Sequence, residues 1–356
     1  MGPSRENLTV AITGAGGYIA GRLTEALDSD DRIERILGFD VRAPSVASRK
    51  LVFDEVDVRN PHLEERLRGV DVVVHLAFIM DPIRDEAEMR DVNVNGSQNV
   101  FRCAARAGVR KIVYTSSATA YGAHPDNDLP LTEESALRAN LDFSYPAHKL
   151  EVEYVVREFR EEFPDIKFVL FRPAIVFGPH VNNAWSHMMQ APVLLAVEGH
   201  SPPFQFVHED DVARALGFAI TEDLNGAYNL AAEGWLSTEE GLAITGRKRR
   251  TISEPAAFAM ADRMWRWGLG EAPPGVVHYL MHPWVMSTEK LAGAGFRPER
   301  TNQEILAETA AAGGDYITLG RARVHRKGLR TGAAAGLGAL SLGALLKVRR
   351  KRRARA

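Results

Sequence analysis

"VAITGAGGYIAG", residues 10–21, decides how the rest of the chain is read. A short apolar run ends at Thr13, and a helical pattern opens near Tyr18. Between them Gly14-Ala15-Gly16-Gly17-Tyr18-Ile19-Ala20 fits the spacing G-x-x-G-x-x-A. Small residues let the backbone turn tightly and come close to a pyrophosphate, and the helix start supplies N–H groups and the positive end of a dipole. Ala20 occupies the third small position, where it still permits close helix–strand packing.

Outward from this turn, β-type runs at 8–13, 35–40, 51–56, 71–77, 111–117 and 167–173 mostly alternate with helical runs. Strands so apolar predict a parallel sheet covered on both faces. The expected class is α/β with a doubly wound sheet, its ligand outside the carboxyl ends of the strands. The second run ends in "LGFDVR". Asp40 there can accept hydrogen bonds from the adenosine ribose and would repel a 2′-phosphate, which favours NAD over NADP. Arg42 works the other way, because a guanidinium can welcome that phosphate.

Composition sets outer limits. The chain has 356 residues, 45% apolar and 25% charged, with a net charge of −2. That balance gives no global attraction to nucleic acid. The lone cysteine, Cys103, excludes an internal disulfide and fits a reducing compartment. The start "MGPSRENLTV" carries no apolar secretory run, and a cytoplasmic protein is expected.

"DFSYPAHKLEVEYVVREF" (142–159) predicts a helix with Pro146 in its first turn. Tyr145 and Lys149 then share one face, a turn apart. "YTSSATAYG" (114–122) places Ser117 at the ligand end of the fifth strand. A phenol with an ordinary pKa near 10 is a poor base at neutrality, and a neighbouring ammonium would lower it. Ser117, Tyr145 and Lys149 are the candidate catalytic set for moving a proton on an alcohol or carbonyl while a hydride passes to or from nicotinamide.

With these residues in order the chain resembles the extended short-chain dehydrogenase/reductase superfamily, in its NAD-dependent epimerase/dehydratase branch. The resemblance runs over about 8–310 and rests on "TGAGGYIA", "DV" at 57–58, "HLA" at 75–77, "NVNG" at 93–96, "SSATAYG", "YPAHK", "FRPAIVFGP" and "FVHEDDVA". It implies a Rossmann-like fold with a smaller C-terminal substrate lobe. It also implies that Gly14, Gly17, Tyr18 and Ile19 meet the pyrophosphate, Asp57 and Val58 the adenine, and that Leu76 and Ala77 border the cofactor. Asn93 would support the site, Lys149 would also hold the nicotinamide ribose, and Pro173 would lie near the nicotinamide. A homodimer is suggested by the family alone.

The expected division is a dinucleotide-binding unit at 1–173, with returning segments near 204–231, a lobe at 174–315 and a tail at 316–356. All five tryptophans, at 185, 235, 265, 267 and 284, fall beyond the first unit. Enzymes of this branch acting on nucleotide-sugars often carry Asn where this chain has Ile175, and Arg just before "FVHVDD" where it has Phe204 and Gln205. Those changes weaken diphosphate recognition. They favour a less charged alcohol or ketone, sterol-like, isoprenoid or phenolic, over nucleotide-sugar epimerisation. A non-catalytic NAD sensor or membrane scaffold is a third reading. Trp185, Met188, Met189 and "VLLAV" are expected to pack on the core rather than to form a pocket. "GRKRR" (246–250) is expected as a solvated loop. His278 and His282 lack the Glu of an H-E-x-x-H pattern, so no metal is expected. In the tail, "TGAAAGLGALSLGALL" (331–346) precedes "KVRRKRRARA", which has seven basic residues. Sixteen residues of helix span about 24 Å, short of a bilayer core of about 30 Å. An anchor lying on an anionic membrane surface and a disordered tail are both open.

Overall fold

The computed structural model describes residues 7–181, 183–190, 193–313, 316–319 and 322–325. The strands are β1 (Leu8–Thr13), β2 (Ile33–Asp40), β3 (Leu51–Glu55), β4 (Val72–His75), β5 (Lys111–Thr115), β6 (Lys167–Pro173), β7 (Ile175–Phe177), β8 (Val193–Val197), β9 (Phe206–His208), β10 (Gly226–Leu230), β11 (Lys248–Ile252), β12 (Tyr316–Leu319) and β13 (Ala322–His325). The α-helices are α1 (Tyr18–Asp28), α2 (Leu63–Arg66), α3 (Glu86–Arg90), α4 (Gly96–Arg106), α5 (Ser144–Glu162), α6 (Ala184–Gln190), α7 (Glu209–Thr221), α8 (Thr238–Thr245), α9 (Glu254–Trp267), α10 (Glu289–Gly293) and α11 (Asn302–Gly313).

Seven strands form one sheet in the order β10-β6-β5-β4-β1-β2-β3, every pair parallel. Alternate residues of each strand feed opposite cores, as a pleat requires. Val10, Ile12, Val72, Val74, Val113, Val169 and Phe171 pack with α1 and α7. Ala11, Val73, Ile112, Tyr114, Phe168 and Leu170 pack with α4 and α5. Both faces are buried, and this explains why the strands read as near-continuous apolar runs. The parallel doubly wound sheet expected from the sequence is therefore the architecture observed. The order reverses between β1 and β4, and the glycine turn after β1 lies at that switch point.

Beyond β6 the chain builds smaller pieces. β7 pairs with β9, and β8 with β11, each in parallel. Of the returning segments, only β10 joins the main sheet. The strand in "FQFVH" pairs with β7 instead, while α7 packs on the sheet's α1 face. "GRKRR" is not a solvated loop: Lys248–Arg250 begin β11, in register with Val193–Leu195. β12 and β13 form an antiparallel hairpin. The apolar and basic tail at 331–356 lies outside the described residues. Among those residues no helix is long and apolar enough to cross a membrane.

Candidate active site

The glycine turn is shaped by contacts that only glycine permits. Gly14 has φ +76°, and a Cβ on it would stand 2.5 Å from the Ala77 nitrogen. The chain after β4, Leu76–Ala77, is thereby pressed against the turn, and the Leu76 N–H donates to the Thr13 carbonyl at 3.0 Å. Gly17 caps α1 without a side chain, and the helix has no acid in its first turn. Its leading N–H groups and dipole are left for an anion. The Gly16 N–H donates to Asp40 Oδ2 at 3.0 Å, and the Arg42 N–H to Asp40 Oδ1 at 2.9 Å. These bonds fix the carboxylate at the tip of β2 beside the turn, while the Arg42 side chain is exposed. Turn, helix start and carboxylate together fit the phosphates and ribose of a dinucleotide.

Other expected cofactor residues serve partly as framework. The Tyr18 hydroxyl donates to Glu209 Oε2 at 2.6 Å, tying α1 to α7. Burial, then the Glu209 charge, raises its pKa. Asp57 is held by Arg59, with 2.6 Å from Nη2 to Oδ2, which lowers its pKa. Val58 is buried against Gly96, where a Cβ would meet its Cγ2 at 2.7 Å. Asn93 lies in a single π-helical turn, Asp91–Asn95. Its amide accepts from the Ile79 N–H at 2.7 Å and donates to the Ile79 carbonyl at 3.0 Å, pinning the loop after β4.

A cavity of about 850 Å³ opens at the carboxyl ends of β4, β5 and β6. Ile19, Leu76, Ser117, Tyr145, Lys149 and Pro173 all line it. Position follows from local structure. Ser117 caps the 3-10 turn Ala118–Tyr121, its Oγ accepting from the Thr119 hydroxyl at 2.9 Å. Tyr145 and Lys149 stand in the first turns of α5, with Pro146 between them costing no hydrogen bond. The Lys149 ammonium donates to the Thr115 carbonyl at 2.7 Å and to the Tyr114 hydroxyl at 3.3 Å. It sits 3.5 Å from the centroid of Phe78 and 5.8 Å from that of Tyr145.

The electrostatics differ from the expectation. Burial raises the Tyr145 pKa, and the hydrogen-bonding Ser117 hydroxyl pulls it back down. Burial also drives Lys149 well below the ordinary lysine value, against the Glu153 charge, which raises it. The ammonium is held by Thr115 and Phe78, and the Ser117 hydroxyl lowers the phenol's pKa against its burial. Phe78 had no signal in the sequence, because nothing in its neighbourhood predicts a ring stacked over a lysine. Glu153 could have been found, since it lies one turn beyond Lys149. It accepts from the Ser116 hydroxyl at 2.6 Å and from Arg172 Nη2 at 2.6 Å, anchoring α5 to β5 and β6.

The lobe completes the cavity. Trp185, Met188, Leu195, Val197, Met260 and Met264 line it; Trp185, Met188 and Leu194 pack on the core as expected, and the same segment also forms the pocket wall. A continuous apolar run does not reveal which kind of surface it faces. Ile175 also lines the cavity. Gln205 is buried, its amide donating to the Gly234 and Met286 carbonyls at 2.9 Å and accepting from the Met286 N–H at 2.8 Å. His278 pairs with Asp142 at 3.0 Å. Among the described residues no cluster of three metal-ligating side chains occurs.

A family model described as "NAD dependent epimerase/dehydratase family" matches residues 10–231. The chain belongs to that family. It is an NAD-dependent enzyme, which sets aside the purely non-catalytic reading. An uncharacterized protein of Mycobacterium tuberculosis is 28% identical over 305 residues, covering 83% of this chain and 81% of its own. A rice (Oryza sativa subsp. japonica) protein named UDP-glucose 4-epimerase 2 is 31% identical over 189 residues, 48% of this chain and 45% of its own. Among solved structures, UDP-glucose 4-epimerase of Thermotoga maritima with UDP-glucose superposes with TM-score 0.65 at 18% identity, covering 86% of this chain and 98% of its own. The dTDP-glucose 4,6-dehydratase DesIV of Streptomyces venezuelae with NAD and TYD gives 0.66 at 20% identity, covering 86% and 96%. At such identities the likeness is one of fold.

Proposed function

We propose that this family member is an oxidoreductase that moves a hydride between NAD and an apolar alcohol or ketone, sterol-like, isoprenoid or phenolic. One observation carries the reading: Ser117, Tyr145 and Lys149 open into a cavity whose lobe wall is largely aliphatic and aromatic. Among these lining side chains Arg247 alone offers a guanidinium to a sugar diphosphate, and the Gln205 amide is already consumed within the protein. The adenine-side assignments for Asp57 and Val58 and the ribose assignments for Asp40 and Lys149 belong to this proposal.

NAD, when bound, supplies the hydride acceptor. Tyr145 takes the alcohol proton or returns it to the carbonyl. Ser117 steadies the phenolate with its one hydroxyl proton. Lys149, fixed by Thr115 and Phe78, holds positive charge near that oxygen and the cofactor ribose. The aromatic and methionine wall excludes water. We place this chemistry in the cytoplasm, where NAD is available, and leave to the tail at 316–356 any peripheral contact with anionic lipid.

The test is to incubate the full-length protein with NAD and panels of apolar alcohols and follow NADH absorbance. Net NADH with an apolar alcohol is expected. No NADH, with isomerisation of a nucleotide-sugar, would replace this reading with the epimerase one. The names of the rice relative and of the Thermotoga neighbour favour that second reading.

A further inference from the structure

Charged groups in the apolar cavity are few, and most are already matched. Lys149 is bonded to Thr115. Glu271 faces His187 Nδ1 at 2.8 Å. Arg247 also lines the cavity, yet it pairs with none of the described carboxylates or carbonyls. Its placement is built into the backbone. α8 ends at Gly246, which takes φ +64° and donates to the Leu242 carbonyl at 2.9 Å. The chain reverses there, and β11 begins at once with Lys248 in register with Val193. Arg247 is caught between a helix cap and a paired strand. The neighbouring Arg249, by contrast, is committed to the His200 carbonyl at 2.7 Å.

A guanidinium partly stripped of water and without a counter-ion is costly. Burial accordingly weakens its hold on its proton. An anion brought by a ligand would offset that cost, with two parallel N–H···O bonds to a carboxylate or phosphate. We propose that Arg247 anchors an acidic group, carboxylate or phosphate, on an otherwise apolar substrate. This rests on reading the cavity as the substrate site of an apolar alcohol or ketone. The reactive carbon would lie toward Tyr145 on the sheet side and the acid toward the lobe strand.

The test is calorimetric titration of the full-length protein, saturated with NAD, using octanoate, octyl phosphate, octan-1-ol and UDP. At least one octyl anion is expected to bind about tenfold tighter than octan-1-ol, a gain of the size of one charge-assisted contact. The tighter of the two anions assigns the acid. Arg247→Gln should erase the difference and leave octan-1-ol unchanged, while Arg247→Lys keeps part of it. Equal binding of the alcohol and both anions to the unsubstituted protein overturns the proposal without any variant. So does anion affinity unaffected in Arg247→Gln, or UDP binding that depends on Arg247 while neither octyl anion binds. An anion preference that stands while NADH formation fails for every alcohol would reject the oxidoreductase reading alone.

Discussion

The Lys149 ammonium stands 3.5 Å from the centroid of the Phe78 ring. A desolvated cation over an aromatic face is stabilised by about 2 kcal/mol. Phe78→Leu fills much of the same space but removes the ring, so the ammonium should lose fixation without loss of fold. The expected result is roughly a tenfold fall in kcat/KM, with a thermal midpoint lowered by only a few degrees. Steady-state kinetics and a melting curve check it; full activity in the variant would show that the ring merely packs.

Tyr145 and Ser117 give a separable pair of effects. Tyr145→Phe should retain NAD affinity and lose turnover by about 10²–10⁴, the usual share of a general acid–base. Ser117→Ala removes the hydrogen bond that lowers the Tyr145 pKa. The pH at which alcohol oxidation rises should therefore move upward in Ser117→Ala, read from kcat/KM against pH at saturating NAD. A downward shift, or none, would contradict the assignment.

The Glu153–Arg172 pair is nearly sealed from water, with side-chain exposures of 4% and 6%. Arg172 also donates to the Tyr121 hydroxyl at 2.7 Å, which in turn donates to Asn229 at 2.7 Å. Arg172→Met strands a buried carboxylate and should destabilise by about 3–5 kcal/mol. Glu153→Leu with Arg172→Met together should cost less than the sum of the single changes. Urea denaturation of the four proteins checks the coupling.

His75 predicts a pH dependence of stability. Its ring nitrogens lie 2.6 Å from the Thr13 hydroxyl and 2.8 Å from the Ser97 hydroxyl. Burial first, and the Lys149 charge second, lower its pKa from 6.5 to about 3. Unfolded chains take up this proton as pH falls below 6.5, and the folded protein does not until about 3. The stabilisation is thus full above 6.5 and is lost as pH falls through that window, at no more than about 1.4 kcal/mol per pH unit. Between pH 6.5 and 5, where most carboxylates stay charged, the urea midpoint should fall for the native sequence and flatten in His75→Gln.

The sheet and its glycine turn were legible because their signals are local. Gly14 needs its left-handed φ, and each strand's burial on both faces shows directly in its residues. Ser117, Tyr145, Lys149 and Pro173, singled out by the family pattern, line one cavity, and their roles belong to the proposal. The strand pairing inside the lobe was not legible. Val193–Val197 and Lys248–Ile252 pair across a long stretch of chain, and a two-stranded parallel ribbon leaves no short-range mark. The basic residues of the second strand disguised it as a loop and hid Arg247. The sign of the Tyr145 shift was missed for a related reason: spacing shows that two side chains share a helix face, but not where the ammonium turns.

Strand β10 covers β6 and becomes the sheet's edge itself, yet it arrives only after the whole of 174–225 has been made. A chain emerging from the ribosome therefore holds six of the seven strands with β6's backbone groups unsatisfied on one side. Such a bare edge invites pairing with other chains. The late strand carries Asn229, whose amide reaches the Leu131 and Ser287 carbonyls. Shielding of that vulnerable margin and docking of the later segments thus become one event during biosynthesis.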